Sequence, residues 1–317
     1  MTDRESIAAT FKDPEFDQIL VCCHRSPDGD ACGSAHALSY ALRQMGKQAR
    51  VFCPDSFGNE FSDLTRAEEA LPPFTPRHFV TVDVAAPEML SDAPFASQIE
   101  IVIDHHRVNT VSAPLKWVCA DASSCGELVL ELILLWEHPL DAYLAKALYT
   151  AIATDTGCFR YSNTNEKTFL AAATLSRFAE EGEFYRINKR LFETKSRKRL
   201  VLEAYAIENA VFFADGKGAY LSVSLETQRR LGATYSDLEV LINVIRQIEG
   251  VLVSFVAKER EEGVFKVSVR SEKGFDASDF CQHFGGGGHL AAAGCTLLAA
   301  EEEAVSLLVQ EVQRRLS

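Results

Sequence analysis

From Ile19 to about Ala179 the chain alternates short apolar runs with stretches of helical periodicity, and that alternation leaves few folds open. Ile19 to Cys23 reads as a strand, followed by a helix from Ser34 to Met45. Gln48 to Cys53, His78 to Val84 and Glu100 to Asp104 read as further strands, and Ala142 to Thr154 and Glu166 to Glu181 as helices. Strands alternating with helices predict an α/β fold with a mostly parallel sheet flanked by helices. Ligands of such sheets gather beyond the carboxyl ends of the strands. Charged residues follow the apolar runs at those ends.

Past Ala206 the pattern changes. Ala210 to Phe213, the turn Asp215-Gly216-Lys217-Gly218 and Ala219 to Val223 read as a β-hairpin. A helix around Tyr235 to Gln247, strands over Val251 to Lys258 and Val264 to Arg270, and a helix from Glu301 complete a smaller α+β domain. The 317 residues fit two domains at about 150 residues each. The expected division is a first domain over 1–187, a linker helix over 188–205 and a second domain over 206–317. Six Lys or Arg residues between Lys189 and Leu202 read as a solvated helix face or connector rather than a nucleic-acid contact.

The net charge of −13 repels polyanions, which argues for a small substrate and against a long duplex. A small anion is still handled where metal ions and a few arginines reverse the sign locally. No apolar run approaches the roughly 20 residues that span a bilayer, and the first residues lack the pattern of a signal peptide. Nine scattered cysteines without a C-x-x-C pair fit reduced thiols. The chain is expected in the cytoplasm, away from membranes.

Four segments carry groups that can ligate metal. His24-Arg25-Ser26-Pro27-Asp28-Gly29-Asp30 places an imidazole and two carboxylates on a strand-to-helix loop, where Asp28 and Asp30 could point to different ions if the loop is extended. Asp83 ends the run Phe79-Val80-Thr81-Val82, a position where a turn or cap residue is the plainer reading. Ile101-Val102-Ile103 delivers Asp104-His105-His106 to the same sheet edge, with Asp104 able to fix a histidine tautomer. Asp155 ends the alanine-rich helix, and Arg160 just beyond it could hold a phosphate.

Together His24, Asp28, Asp30, Asp83, His105 and Asp155 supply the ligands that two divalent ions need if one carboxylate bridges them. Mixed imidazole and carboxylate donors favour Mn²⁺ over Mg²⁺, and Mg²⁺ and Co²⁺ stay open as alternatives. In the second domain, Gly285-Gly286-Gly287-Gly288-His289 precedes a run of small residues read as a helix, so that backbone N–H groups would crowd an anion at its N-terminus. Arg270-Ser271, closing the preceding strand, could complete that pocket.

These segments resemble, in order and over nearly the whole chain, the DHH/DHHA1 phosphoesterases, nearest to the group of nano-RNases that are also pAp phosphatases. The triplet Asp104-His105-His106 matches the motif that names the family. His24-x-x-Pro27-Asp28-x-Asp30 matches its first motif, Asp83 its second, Asp155-Thr156-Gly157 its fourth, and Gly285 to His289 with Ala292-Ala293-Gly294 the DHHA1 signature. The resemblance implies one ion at His24, Asp28 and Asp83 and a second at Asp30, Asp83, His105 and Asp155. His106 would be the general acid, and Arg270 with the glycine segment would bind a terminal phosphate. The implied substrates are single-stranded oligonucleotides of two to five nucleotides, pApA and 3′-phosphoadenosine 5′-phosphate (pAp), held in a cleft that selects for length, and the resemblance leaves room for a homodimer. Two other readings are a cyclic-dinucleotide phosphodiesterase and a non-catalytic nucleotide-binding module.

Overall fold

The computed structural model describes residues 2–69 and 71–316, apart from the side chains of Ala67, Glu69 and His289. The chain divides into two compact units, residues 1–194 and 195–317. No helix among the described residues is long and apolar enough to cross a membrane.

The first unit runs α1 (Asp3–Lys12), β1 (Ile19–Cys22), α2 (Gly29–Gln44), β2 (Ala49–Phe52), α3 (Ser62–Glu69), β3 (His78–Val82), β4 (Ile101–Asp104), β5 (Leu115–Val118), α4 (Cys125–Leu135), α5 (Ala142–Asp155), α6 (Glu166–Ser176) and α7 (Glu183–Asn188). Its five strands lie in the order β2-β1-β3-β4-β5, every pairing parallel. Val80, Val82, Ile101 and Ile103 are fully buried, as central strands covered on both faces must be. The chain leaves β1 to one side for β2 and returns to the other for β3. That reversal opens a crevice at the carboxyl ends of β1 and β3.

Two glycine contacts set the depth of that crevice. A Cβ on Gly33 would stand 2.4 Å from the Ala147 carbonyl oxygen and 2.9 Å from the Ala151 nitrogen, so only glycine lets α2 lie this close to α5. A Cβ on Gly29 would stand 2.3 Å from Thr154 Cγ2, which locks the start of α2 to the end of α5. Asp28 and Asp155 sit at those two helix ends.

The second unit runs α8 (Arg197–Asn209), β6 (Val211–Phe213), β7 (Gly218–Val223), α9 (Leu225–Leu231), α10 (Leu241–Ile245), β8 (Val253–Glu261), β9 (Val264–Ser271), α11 (Ala277–Gln282), β10 (Gly287–His289), β11 (Ala292–Leu298) and α12 (Glu301–Leu316). Its six strands take the order β10-β11-β9-β8-β7-β6, with only β7–β8 parallel. One face carries Phe255, Phe265, Val267 and Val269, which share a core with Phe280 of α11 and Leu308 and Val312 of α12. On the other face Leu221, Val223 and Val256 pack with Leu202 and Ala206 of α8 and with Leu241 and Ile245 of α10. By strand alternation Ser254, Lys258, Lys266, Ser268 and Arg270 belong to this second face, and they make it polar.

Several boundaries differ from the sequence reading. The first long helix starts at Gly29 rather than Ser34, because the Asp28 carboxylate caps it, accepting from the Ala31 N–H at 3.0 Å. The helix after the alanine-rich one stops at Ser176, not Glu181. Tyr235 to Gln247 is a 3₁₀ turn over Tyr235–Val240 followed by the short α10. The small residues after the glycines form strand β11, not a helix. Ala293, Cys295 and Leu297 alternate with more exposed neighbours at period two, and that pattern wins over the helical preference of alanine.

Candidate metal centre

All six expected ligands arrive at the carboxyl end of the parallel sheet. His24 follows β1, Asp83 follows β3, His105 follows β4, Asp28 and Asp30 open α2, and Asp155 closes α5. Asp28 and Asp30 are the cap and first-turn residues of one helix, not members of an extended loop. The donor atoms of His24, Asp28 and Asp83 lie within 4.8 Å of one another, as do those of Asp30, His105 and Asp155.

Asp83 joins the two groups. Its Oδ2 lies 3.4 Å from His24 Nε2 and its Oδ1 3.5 Å from His105 Nε2. The residue holds φ at +59°, a left-handed conformation uncommon outside glycine and tolerated by Asp. Strain of this kind persists where the surroundings impose it, and here it turns a buried carboxylate across the crevice. His24 Nε2 is also 3.8 Å from Asp28 Oδ1, and His105 Nε2 is 3.7 Å from both Asp30 Oδ2 and Asp155 Oδ2.

Four carboxylates this close repel strongly unless cations stand between them, and the titration of the residues shows it. Burial opposes the charged form of both imidazoles, but the hydrogen bond and charge of Asp83 outweigh it. With Asp28 this lifts His24 to about 9, and with Asp30 and Asp155 it lifts His105 to about 10. Burial opposes the charged form of Asp83 too, yet the two imidazoles hold its carboxyl below the usual range. Asp155, more by burial than by the charge of Asp83, is raised to about 6.

Asp30 is fully buried and anchored from beneath. Ser34 Oγ donates to it at 2.7 Å, and the Cys125 and Gly126 N–H groups of the first turn of α4 donate at 2.7 and 2.9 Å. Burial and the neighbouring Asp83 raise this carboxyl, while three donors and a helix N-terminus favour its ionised form.

Asp104 belongs to none of the candidate ligand groups and organises the triplet. Its Oδ1 accepts from His106 Nδ1 at 2.8 Å and from the His105 N–H at 2.9 Å, and its Oδ2 accepts from Asn109 Nδ2 at 2.6 Å. The hydrogen bond to Asp104 raises His106 above the ordinary imidazole value, against burial. His106 Nδ1 is 3.6 Å from Asp83 Oδ1, and with Nδ1 engaged the ring is left with Nε2 for chemistry.

Three contributors carried no sequence signal of their own. Asn109 also donates to the Val84 carbonyl at 2.8 Å, tying the loop after β4 to the loop after β3. Asn163 Nδ2 donates to the Asp155 carbonyl at 3.1 Å and to the Ser123 carbonyl at 2.9 Å. Cys125 Sγ, fully buried, lies 3.8 Å from Asp83 Oδ1, where burial and the carboxylates keep the thiol protonated. Each of these contacts spans residues far apart in sequence or loops without periodicity.

The phosphate-side candidates fall elsewhere. Arg160 is exposed, its Nε donating to the Gly157 carbonyl at 2.5 Å, on a turn where Gly157, Cys158 and Phe159 all have positive φ. Arg270 is the penultimate residue of β9 in the second unit, and its Nη1 donates to the Val269 carbonyl at 2.9 Å. Ser271 is buried, with Oγ placed 2.9 Å from the Phe275 carbonyl and 3.1 Å from that of Leu290, so its hydroxyl proton is spent on the chain.

The glycine segment is a tight hairpin rather than a helix N-terminus. The Gly285 and Gly286 N–H groups donate to the carbonyls of Gln282 and Cys281 at 3.0 and 2.8 Å, closing α11. Gly287 and Gly288 pair with Gly294 and Ala293. A Cβ on Gly286 would meet the Gly294 carbonyl oxygen at 2.2 Å, and one on Gly288 the Ala293 Cα at 2.5 Å. Close backbone approach is therefore the demand that these two glycines answer. The side chain of His289 lies outside the described residues.

Comparison with known proteins agrees with this arrangement. Residues 18–152 match the DHH family, N-terminal domain, and residues 212–317 match the DHHA1 domain. The chain is similar to the bifunctional oligoribonuclease and PAP phosphatase NrnA of Thermus thermophilus, 33% identical over 94% of this chain and 90% of that protein. The NrnA of Bacillus subtilis is 28% identical over 90% of this chain and 91% of its own. Among solved structures, an exopolyphosphatase-related protein from Bacteroides fragilis superposes with a TM-score of 0.87 and 25% identity, covering 98% of this chain and 96% of that one.

Proposed function

The chain belongs to the DHH family and ends in a DHHA1 domain, and from that premise we propose that it is a two-metal hydrolase of short nucleotide phosphoesters. The two curated relatives are named for oligoribonuclease and PAP phosphatase activity, and in this reading the chain cleaves oligonucleotides of a few residues to 5′-mononucleotides and pAp to AMP and phosphate. The observation that carries this reading is Asp83, whose two oxygens turn separately to His24 and His105.

The donor set fits a pair of divalent ions. His24, Asp28 and Asp83 would hold one, and Asp30, Asp83, His105 and Asp155 the other. Imidazole with carboxylate suits Mn²⁺ better than Mg²⁺, which prefers oxygen ligands alone. Bound there, such a pair would supply a water of lowered pKa and positive charge to offset what grows on the phosphoryl oxygens.

The chain supplies the rest. Asp104 fixes His106 with its proton on Nδ1 and raises its basicity, so a protonated His106 can give its Nε2 proton to the departing 3′-oxygen. A water oxygen forms the new P–O bond as the bond to O3′ breaks. In this reading Arg270, and Arg160 beyond Asp155, would hold substrate phosphates, with the strand that follows the glycine segment paired beside Arg270. Substrates of this kind belong to the cytoplasm.

The test is Mn²⁺-dependent turnover of pAp, pApA, cyclic-di-AMP and a 24-mer RNA. Preference for pAp and pApA, abolished in His105→Ala, supports the reading. Faster cleavage of cyclic-di-AMP would move the substrate class to cyclic dinucleotides. Nucleotide binding without any turnover would make the protein a binding module.

A further inference from the structure

The first turn of α4 holds one carboxylate of the candidate metal centre directly, since the Cys125 and Gly126 N–H groups donate to Asp30 at 2.7 and 2.9 Å. The same end of the helix reaches a second carboxylate, Asp155, through a chain of side-chain hydrogen bonds. At the root of that chain lies a buried acid that belongs to none of the candidate ligand groups.

That acid is Glu127, 3% exposed and paired with no cation among the described residues. A glutamate at the third position of a helix commonly turns back to the N–H of the cap residue, here Ser124. Glu127 goes one residue further. Its Oε2 accepts from Ser123 Oγ at 2.7 Å and from the Ser123 N–H at 3.3 Å, with Thr168 Oγ1 of α6 at 3.4 Å. A buried carboxylate without a cation is costly, and the donors and the positive helix end offset that cost here. What it holds fixed is Ser123, itself fully buried. The Ser123 carbonyl in turn accepts from Asn163 Nδ2 at 2.9 Å.

Asn163 carries the link to the metal centre. The same Nδ2 donates to the Asp155 carbonyl at 3.1 Å and to Asp155 Oδ2 at 3.4 Å. Three oxygens surround that nitrogen and Asn163 Oδ1 has no partner, which fixes the way the amide faces. Asp155 Oδ2 is the oxygen that lies 3.7 Å from His105 Nε2. Asp155 is the last residue of α5, where the helix carbonyls disfavour a carboxylate, so its orientation needs support from outside the helix. The loop bearing Asn163 is tied down once more by Asn165, whose Nδ2 donates to the Asp121 carbonyl at 3.2 Å. The other ligand group is held locally. His24 donates to the Arg25 carbonyl at 2.8 Å, and Asp28 accepts from the Ala31 N–H at 3.0 Å.

We propose that Asn163 and Glu127 are positioning residues for one ion of the pair, the one that Asp30, His105 and Asp155 would hold. Glu127 fixes Ser123, Ser123 fixes Asn163, and Asn163 aims Asp155. The inference deepens the two-metal reading above and rests on it. The start of α4 thereby sets the spacing of two carboxylates around that ion, while the group at His24 and Asp28 is independent of it.

The test is calorimetric titration of the full-length protein with Mn²⁺ in two backgrounds. His24→Ala leaves the group of Asp30, His105 and Asp155, and His105→Ala leaves the group of His24 and Asp28. Added to His24→Ala, Asn163→Ala weakens Mn²⁺ binding by about tenfold or more, and added to His105→Ala it changes Kd by less than about twofold. Glu127→Ala follows the same pattern, and Glu127→Gln, which keeps an acceptor for Ser123, recovers most of the loss. Equal weakening in both backgrounds, the mark of a merely structural role, overturns the proposal, and so does an unchanged Kd in both. Should Glu127→Ala fail to fold, Asn163→Ala on its partly exposed loop decides alone. Turnover of pApA by the wild type reports on the hydrolase reading separately. Protein that binds two ions and cleaves nothing fails that reading, while a difference between the two backgrounds still upholds this one.

Discussion

His106 Nδ1 donates to Asp104 Oδ1 at 2.8 Å, and Asp104 itself has no exposed surface. The pair resembles the carboxylate–imidazole unit in which the buried acid sets the tautomer and the ring does the proton transfer. Asp104 spends both oxygens on this task, since Asn109 and the His105 N–H occupy its remaining sites. Replacing it with Asn keeps the volume and removes the charge. Asp104→Asn is expected to lower kcat by about 100-fold with little change in KM. The bonded carboxylate raises His106, and a general acid works only while protonated, so activity falls as pH rises through its pKa. In Asp104→Asn that alkaline fall moves to lower pH, which a kcat–pH profile reads directly.

Asp83→Asn tests the bridge. Asn tolerates the left-handed φ of +59° that Asp83 adopts, so the backbone demand is met while the charge is lost. Metal content by elemental analysis is expected to fall from two ions per chain to one or none, with turnover reduced at least 100-fold. Full activity with two ions retained would remove Asp83 from the bridging position.

Metal affinity should depend steeply on pH. A histidine binds metal only when neutral, and the surrounding carboxylates lift His24 to about 9 and His105 to about 10. At pH 7.5 both imidazoles must therefore shed a proton as the ions enter. Affinity rises as pH increases toward 9, and it drops further as pH falls through about 6, where Asp155 also takes up a proton. Calorimetry of Mn²⁺ binding in buffers of different ionisation enthalpy should count about two protons released at pH 7.5. Release of none would mean that the imidazoles are already neutral and the carboxylates are less charged than their geometry implies.

The convergence of the candidate ligands was legible in the sequence because each stands at the end of an apolar strand or at a helix end, where local pattern and topology coincide. His24, Asp83 and His105 are ordered by β1, β3 and β4, and parallel strands fix which end they share. What supports them was not legible. Cys125 reaches Asp83, and the start of α4 reaches Asp30, across long stretches of chain, and no spacing encodes such contacts. In the second unit alanines masked a two-residue alternation, so β11 reads as a helix. Ser271 and Ser254 look alike in sequence, and only the hydrogen bonds show which hydroxyl is free.

Gly29 and Gly33 separate the demands of the site from those of the fold, although they lie one helical turn apart. At Gly33 an added Cβ meets backbone atoms of α5, the Ala147 oxygen at 2.4 Å and the Ala151 nitrogen at 2.9 Å, so the helices must move apart. Gly33→Ala is expected to destabilise by about 1–3 kcal/mol and to lower Tm by several degrees. At Gly29 the clash is with the Thr154 side chain, whose hydroxyl donates to the Thr150 carbonyl at 2.8 Å. That side chain can turn away, but it precedes Asp155, while Gly29 sits between Asp28 and Asp30. Gly29→Ala should therefore cost less stability than Gly33→Ala and more metal affinity, on the order of tenfold in Mn²⁺ Kd. Thermal melting and Mn²⁺ titration on both variants check the pair. If Gly29→Ala binds Mn²⁺ as tightly as wild type, the close approach of α2 to α5 serves packing alone.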